Sequence, residues 1–390
     1  MKLTVVGMMS GTSYDAIDAA VGDFELEDER VVLSPRGLHS VDLEESLRAR
    51  IAACLPPHQT TAEQLCQLDT ELGQRFGAVA AEAIERFAPK GADLIVSHGQ
   101  TIYHWVEAGR CLGTLQLGAP AWIAAATGTA VVSDLRSRDI TNGGQGAPLA
   151  STLDALLLLN HSTRRGSLNL GGIANITVRD DHGRIIAYDI GPASALMDAA
   201  VTELTAERLR MDVDGALAAA GTVNGLLLEQ LLDEPYYRLA PPKSTGKELF
   251  NLTYLHERLG AHGLSGEDLL ATLTELTARI IASACQEYGV QELIVAGGGV
   301  RNPVLMERIR ALIDPAQVLT FEAFGLPSQA KEAYLFALLG YLSAHGAQGT
   351  IASATGARHG SILGSFTPGK GPLVLPAPWP QPITSLEIQA

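Results

Sequence analysis

Apolar and polar residues alternate first with strand spacing and then with helix spacing along the first part of this chain. A short apolar run predicts a strand near 3–7, alternation over 16–21 predicts one near 16–24, and a third is expected near 30–38. Apolar residues at helical spacing predict a helix over 62–87, with Thr61 as its N-cap and Gln64 completing a capping box. Strands at 93–97 and 130–133 and helices at 119–127 and 147–159 complete this part. The pattern is typical of an α/β domain.

The same order of elements begins again at Ser167. Three strands are predicted near 167–171, 173–179 and 184–190. Later elements are a helix at 272–288, a strand at 292–296, a helix at 303–313, a strand at 317–321 and a helix at 329–345. The Pro-rich tail 366–390 is expected to be extended. The repetition predicts two similar halves, and 390 residues, 46% of them hydrophobic, are enough for two domains.

A turn of small residues follows the first predicted strand. Gly11 allows a bound group to approach the backbone closely, and Thr12 and Ser13 can donate to phosphate oxygens. Asp15 can hold the magnesium ion that travels with a nucleotide. Taken alone, the segment is equally typical of a hairpin turn that binds no ligand.

Two further glycine turns follow predicted strands and favour a ligand-binding role over a simple hairpin turn. Gly171-Gly172 separates two strands, and Gly297-Gly298-Gly299 ends a third strand before Asn302-Pro303 starts a helix. The third turn leaves bare backbone for a ring or a sugar. Three such turns indicate nucleotide binding. The chain has neither G-x-x-x-x-G-K-[ST] nor a G-x-G-x-x-G that opens a helix, so a different nucleotide-binding architecture is expected.

Charge and cysteine content exclude several classes of partner. The formal net charge of −15, with no basic stripe, argues against nucleic acid and anionic membrane surfaces. The N-terminal apolar run is too short for an export signal. The four cysteines show no C-x-x-C pairing, which favours reduced thiols over disulfides or zinc. A cytoplasmic protein is expected.

Seven motifs, in this order and spacing, carry a resemblance across nearly the whole chain. Together they are similar to the anhydro-N-acetylmuramic acid kinase family, which belongs to the actin, sugar-kinase and chaperone ATPase superfamily. The motifs are Gly-Met-Met-Ser-Gly-Thr-Ser at 7–13, Ser-His-Gly-Gln-Thr at 97–101, Ser-Asp-Leu-Arg-Ser-Arg-Asp at 133–139, Gly-Gly-Gln-Gly-Ala-Pro at 143–148, Asn-Leu-Gly-Gly-Ile-Ala-Asn at 169–175, Asp-Ile-Gly-Pro at 189–192 and Pro-Lys-Ser-Thr-Gly-Lys-Glu-Leu-Phe at 242–250.

The resemblance implies an α/β fold of two ribonuclease-H-like lobes, a duplicated βββαβαβα, around an ATP and substrate cleft. The first lobe would comprise 1–160 plus about 340–390, and the second 161–340. It also implies ATP and Mg²⁺ as cofactors and a homodimer. The implied reaction adds water across the 1,6-anhydro bond of anhydro-N-acetylmuramic acid and phosphorylates the freed oxygen, giving N-acetylmuramic acid 6-phosphate in peptidoglycan recycling.

Nucleotide-site residues are implied on the three glycine turns. Asp15 is the expected magnesium ligand. The cofactor-binding set is Gly11, Thr12, Ser13, Asp15, Gly171, Gly172, Asn175, Gly297, Gly298 and Asn302.

Asp189 is the implied general base, because the family places its catalytic aspartate in this motif. From the residues alone, an N-cap of the helix that follows is the alternative. The family's Gly and Asn after Gly-Pro are Ala193 and Ser194 here. The resemblance therefore assigns no role to these two positions.

Substrate contacts are implied at His98, Gln100, Thr101, Arg136, Asp139 and Glu332. Arg136 suits a carboxylate and Asp139 a sugar hydroxyl, with a surface ion pair as the alternative for both. The alternative for Glu332 is that it supplies a negative charge at the N-terminus of a helix. No second His or Cys lies at the spacing typical of metal ligands. His98 is therefore expected to lie in a loop that contacts the sugar and not in a metal site.

Two rival functions stay open. One is a kinase for another anhydrosugar, such as levoglucosan, and the other is a non-catalytic ATP-binding clamp of the same superfamily. The 97–101, 133–139 and 143–148 segments argue against the clamp, which needs no sugar site.

Overall fold

The strands and helices that the hydrophobic pattern predicts are present in order along the chain, together with others that it does not predict. The computed structural model describes residues 2–260 and 263–389. The strands are β1 (Leu3–Ser10), β2 (Ala16–Glu27), β3 (Arg30–Asp42), β4 (Leu94–Glu107), β5 (Arg110–Leu117), β6 (Val131–Ser133), β7 (Arg165–Leu170), β8 (Ile173–Arg179), β9 (Ile185–Pro192), β10 (Glu292–Ala296), β11 (Gln317–Thr320), β12 (Ser365–Thr367) and β13 (Ser385–Ile388).

The helices lie between these strands. They are α1 (Glu45–Cys54), α2 (Ala62–Phe87), α3 (Pro120–Thr127), α4 (Ser137–Thr141), α5 (Ala150–Asp154), α6 (Ser194–Leu204), α7 (Ala216–Ala220), α8 (Gly225–Leu232), α9 (Leu252–Leu259), α10 (Gly266–Glu287), α11 (Pro303–Ile313), α12 (Lys331–Ala344) and α13 (Ala352–Thr355). The predicted capping box of α2 is confirmed: Thr61 accepts from the Gln64 N–H, and the Gln64 side chain accepts from the Thr61 N–H.

The two sheets share one topology. In the first, β1, β2 and β3 pair antiparallel, and β4 and β6 extend the sheet in parallel from β1. In the second, β7, β8 and β9 pair antiparallel, and β10 and β11 extend it in parallel from β7. The duplicated α/β fold is therefore confirmed. In addition, β5 pairs with β4, and β12 and β13 add edge strands to the first sheet.

The chain divides into two units, Met1–Asn160 with Phe324–Ala390, and His161–Ala323. Residues 324–340, predicted to belong to the second lobe, thus lie in the first unit. The reason is the packing of α12, whose Tyr334 hydroxyl donates to the carbonyls of Val21 on β2 and Gly37 on β3, at 3.2 and 3.3 Å.

A single apolar core fills the helix side of the second sheet. Leu168, Ile176 and Tyr188, on three adjacent strands, pack in one cluster with Leu273, Leu276 and Ile280 of α10. Burying each such side chain contributes about 1.5–3 kcal/mol. Because strand side chains alternate between faces, the residues between these apolar positions face away from the core.

The β4–β5 hairpin was not predicted from the sequence. The predicted strand at 93–97 continues to Glu107, so His98 lies within β4 and not at its end. The outer half of the hairpin exposes the large side chains of Tyr103, Trp105 and Val106. Most strands are instead followed by a polar surface loop.

Within the described ranges, no single helix has the length and apolar composition needed to cross a membrane; only the bent pair Val213–Ala220 and Gly225–Leu232 meets those limits when taken together.

Candidate active site

A row of polar side chains crosses the second sheet on the face opposite its core. Asn169 on β7 lies directly across from Asn175 on β8, and Asn175 lies across from Asp189 on β9. Directly opposed residues of antiparallel strands share a face. The alternating apolar neighbours, Leu168, Ile176 and Tyr188, are buried in the core. Asp189 and Asn175, predicted for different roles, are therefore neighbours.

One segment, residues 236–245, binds Asp189 at three points. The Asp189 Oδ2 accepts from the Thr245 N–H at 3.0 Å, the Tyr236 hydroxyl donates to the Asp189 carbonyl at 2.7 Å, and the Asp189 N–H donates to the Lys243 carbonyl at 3.2 Å. No side chain or N–H of the described residues donates to the other carboxylate oxygen. The arrangement orients the carboxylate and leaves Oδ1 for a ligand.

The environment of Asp189 sets its proton affinity. Burial raises the pKa of Asp189 to about 6; the Thr245 N–H opposes this rise and the Glu248 charge adds to it. A carboxylate with a pKa near the working pH is an effective general base. Asp189 is therefore chemically suited to remove a proton from water or a hydroxyl.

The alternative reading of Asp189, as an N-cap, is excluded by the start of α6. The N–H groups of Ala193 and Ala195 donate to the Gly172 carbonyl, and the Ser194 N–H donates to the Gly171 carbonyl. The Gly171-Gly172 turn, not Asp189, satisfies the first turn of this helix.

A cation lies beside the same glycine turn. A Cβ built on Gly172 would be 3.5 Å from Cε of Lys247, whose side chain is exposed. Lys247 belongs to the 242–250 motif but was not among the predicted site residues. An ammonium group next to a glycine turn can form a charge-assisted hydrogen bond with a phosphate.

The three glycines at 297–299 have different roles. Gly297 has a φ of +91°, and a Cβ there would lie 2.7 Å from the Leu170 carbonyl oxygen; a Cβ on Gly299 would lie 2.8 Å from Cβ of Leu170. Packing against β7 therefore requires both. Gly298 is different, because its nearest neighbour would be Nη2 of Arg301 at 3.7 Å. Asn302 uses its amide oxygen to cap α11, accepting from the Leu305 N–H at 3.1 Å.

In the first unit, the turn after β1 is held from β4. The Ser10 hydroxyl donates to the Gln100 amide oxygen at 2.6 Å, and the Gln100 amide nitrogen donates to the Gly11 carbonyl at 3.3 Å. Gln100 is 1% exposed. The predicted substrate role of Gln100 is corrected accordingly: this side chain fixes the turn that presents the exposed Thr12 and Ser13.

Asp15, the predicted magnesium ligand, is exposed and paired with an arginine. Its Oδ1 accepts from Nη2 of Arg48 at 3.0 Å. The described residues contain no group of three or more His, Cys, Asp or Glu side chains arranged to hold a metal ion.

Asp18, on β2, was not among the predicted site residues. One of its carboxylate oxygens is buried with no partner among the described residues, and burial raises its pKa, which a Ser40 hydrogen bond opposes. An acid among the apolar residues at the start of β2 was the available signal.

Arg136 and His98 form a pair in the first unit. Nε of Arg136 donates to Nε2 of His98 at 2.9 Å, and Nη1 donates to the Gly146 carbonyl at 2.7 Å. Burial lowers the pKa of Arg136 to about 10, and the nearby Glu332 carboxylate opposes this drop. Arg136 therefore keeps its positive charge at neutral pH.

Asp139 faces the protein and not a ligand. It is fully buried, its Oδ2 accepts from the Gly146 N–H at 2.9 Å, and its Oδ1 accepts from the Thr355 hydroxyl at 2.8 Å. With both oxygens used, the predicted contact with a sugar hydroxyl is corrected to a structural role in the 139–146 turn.

The last two predicted substrate residues remain accessible. Thr101 is half-buried, and its hydroxyl accepts from the Gln116 amide at 3.3 Å. Glu332 is exposed on the first turn of α12. It follows Lys331, which is buried and pairs with Asp154 at 2.7 Å. This pair fixes the start of α12 and hence the position from which Glu332 projects.

Comparison with known proteins places these residues in a family. The family model described as anhydro-N-acetylmuramic acid kinase matches residues 3–369. The protein of that name from Streptomyces avermitilis is 53% identical over 375 residues, covering 96% of this chain and 97% of the relative. Its counterpart from Rhodococcus erythropolis is 52% identical over 375 residues, covering 94% of each.

A more distant relative of the same name, from Acidithiobacillus ferrooxidans, is 39% identical over 390 residues, covering 98% of this chain and 95% of the relative. The match therefore covers both units and all seven motifs that carry the resemblance. The chain belongs to the anhydro-N-acetylmuramic acid kinase family, whose members are phosphotransferases.

Proposed function

We propose that this protein uses ATP and water to convert 1,6-anhydro-N-acetylmuramic acid into N-acetylmuramic acid 6-phosphate and ADP, a step in peptidoglycan recycling. Family membership supports the substrate and the phosphoryl transfer. The observation that carries the chemistry is the Asp189 carboxylate, held at Oδ2 by the Thr245 N–H and free at Oδ1. We further propose, from the family resemblance, that the protein acts in the cytoplasm as a homodimer.

Asp189 would act as the general base. It removes a proton from a water molecule, the water oxygen bonds to carbon 1 of the sugar, and the bond from carbon 1 to oxygen 6 breaks. Oxygen 6 then takes the γ-phosphoryl group, and ADP leaves. The Thr245 hydroxyl is buried without a hydrogen-bond partner among the described residues, and a water molecule beside Asp189 would satisfy it.

Each unit, taken by itself, offers candidate donors for phosphate beside a glycine turn. The exposed Thr12 and Ser13 in the first unit and Lys247 beside Gly172 in the second are the candidate donors. Magnesium would arrive with the nucleotide and neutralise phosphate charge. Asp15, whose Oδ1 accepts from Arg48, is its candidate ligand.

Arg136 would bind the lactyl carboxylate of the substrate, because a guanidinium recognises a carboxylate through paired N–H groups. Levoglucosan lacks this carboxylate. Glu332 and Thr101 would accept or donate hydrogen bonds at the sugar hydroxyls.

The function is tested by incubating the enzyme with ATP, magnesium and either anhydro-N-acetylmuramic acid or levoglucosan, and measuring product mass. We expect the first sugar to gain one water and one phosphate. A product that gains phosphate alone would refute ring opening, turnover of levoglucosan only would point to the neutral-sugar kinase, and ATP binding without any product would point to the non-catalytic clamp.

The pKa of Asp189 predicts how activity depends on pH. The base works when deprotonated, so kcat/KM should be constant above about pH 7 and fall about tenfold between the plateau and pH 5. The profile is measured at saturating ATP, so that titration of the nucleotide does not set the acid limb. Thermal unfolding at each pH shows whether the protein stays folded. A flat profile down to pH 5 would contradict the assigned base.

A further inference from the structure

The Arg136 side chain is held at two of its three nitrogens by the protein itself. Nε donates to His98 and Nη1 to the Gly146 carbonyl, at 2.9 and 2.7 Å. No described residue accepts a hydrogen bond from Nη2. The guanidinium thus keeps Nη2 and the second hydrogen of Nη1 for a ligand. These groups form the end of the fork that binds a carboxylate through two N–H donors.

His98 accepts from Arg136 only as a neutral imidazole with its proton on Nδ1. Arginine has no acceptor, so Nε2 of His98 must carry the lone pair. Nδ1 then donates to the Gly99 carbonyl at 3.0 Å. Burial, and secondarily the Arg136 charge, lower the pKa of His98 to about 3, so the ring stays neutral.

The position of the His98 ring is itself fixed. The ring packs on Phe336, with ring centroids 4.5 Å apart. Gly99 has a φ of +73°, and a Cβ there would lie 2.5 Å from the Leu117 carbonyl oxygen. Only glycine permits this local backbone, which places the Gly99 carbonyl within reach of the preceding imidazole.

The second support, Gly146, is also anchored. Its N–H donates to Asp139, which Thr355 holds in turn. On the other side of this turn, the Gln145 carbonyl lies 3.0 Å from Nε2 of His104, and the Gln145 amide oxygen accepts from the Cys111 N–H at 3.0 Å. Both acceptors that face Arg136 therefore belong to rigid, buried surroundings, and the direction of the guanidinium is set before a ligand binds.

We propose that His98 is a positioning residue which, by accepting from Nε of Arg136, aims the free end of the guanidinium at the substrate carboxylate and so selects carboxylate-bearing anhydrosugars. The proposal rests on the proposed function and replaces the direct sugar contact that the sequence implied for His98. His98 exchanges no proton in the reaction. Its effect is confined to substrates that carry the carboxylate.

The test compares two variants on two sugars. His98→Phe keeps a ring against Phe336 but removes the acceptor, and His98→Gln restores an amide acceptor. The sugars are anhydro-N-acetylmuramic acid and 1,6-anhydro-N-acetylglucosamine, which lacks only the lactyl group. The second sugar is measured as a competitive inhibitor where it is not turned over.

For His98→Phe, we expect KM for the carboxylate sugar to rise roughly tenfold, the effect of misdirecting one charge-assisted contact, with kcat changed less than about twofold. The constant for the neutral sugar should not change, and His98→Gln should recover most of the loss. Equal losses on both sugars, or a fall in kcat alone, would overturn the proposal, as would no change in a folded variant.

A spectroscopic measurement separates this proposal from the proposed function. Nitrogen NMR of the side chain should show His98 neutral, with its proton on Nδ1, from pH 5 to 8. A proton on Nε2, or titration in that range, would overturn the positioning role whatever the enzyme turns over. Absence of turnover on either sugar, with the expected NMR signature, would count against the proposed function alone.

Discussion

Replacing Asp189 by asparagine should lower turnover by roughly 10² or more, which is about 2.7 kcal/mol of activation free energy. The amide cannot accept the proton of the attacking water. Its oxygen can still accept from the Thr245 N–H, and the backbone contacts to Tyr236 and Lys243 do not involve the side chain, so the fold should be kept. The measurement is kcat at saturating ATP and sugar, together with the dissociation constant for an ATP analogue, which should change little.

Asp233→Asn is the matched control for this variant. Asp233 lies in the same unit but is exposed and paired with Arg238 on the surface. Loss of its charge should leave kcat unchanged. If folded Asp189→Asn protein retains near-normal turnover, the aspartate is not the base.

Gly298→Val should raise the dissociation constant of an ATP analogue roughly 10- to 100-fold, because filling space that a ligand needs costs about 1–3 kcal/mol. Among the three glycines of the turn, Gly298 is the one where a side chain meets no backbone, since its nearest neighbour would be the flexible end of Arg301 at 3.7 Å. The free protein should therefore fold normally. Sugar binding, measured by calorimetry in the absence of nucleotide, should be preserved.

Gly225→Val serves as the control, because a Cβ at Gly225, also in the second unit, would meet no atom within 4 Å. It should leave nucleotide affinity unchanged. An unaltered dissociation constant in the Gly298 variant, with unfolding temperature preserved, would mean that the glycine triplet is a turn without a nucleoside over it.

The sequence was most informative where the physical signal is local. Strand alternation, the capping box at Thr61 and the glycine turns at strand ends each depend on neighbouring residues, and the structure reproduces them. Asp189 was found because its motif is contiguous. The duplicated topology followed from the order of these local elements.

Contacts between distant residues were not visible in the same way. Gln100 and Asp139 were assigned to substrate because they are polar and belong to family motifs, but their partners, Ser10 and Thr355, lie 90 and 216 residues away along the chain. The pairing of Asp15 with Arg48, 33 residues away, was likewise not visible in the sequence. A sequence shows which groups can donate or accept; it does not show which of them the fold has already paired.

The contacts of residues 236–245 with Asp189 also limit which changes in chain length this protein can accept. Irregular surface segments usually tolerate insertions and deletions. Here, one such segment supplies the hydroxyl of Tyr236, the carbonyl of Lys243 and the N–H of Thr245 to a single strand residue. Adding or removing one residue between 236 and 245 would shift at least one of these groups away from Asp189. This loop should therefore keep a constant length in functional variants, even where its exposed side chains differ.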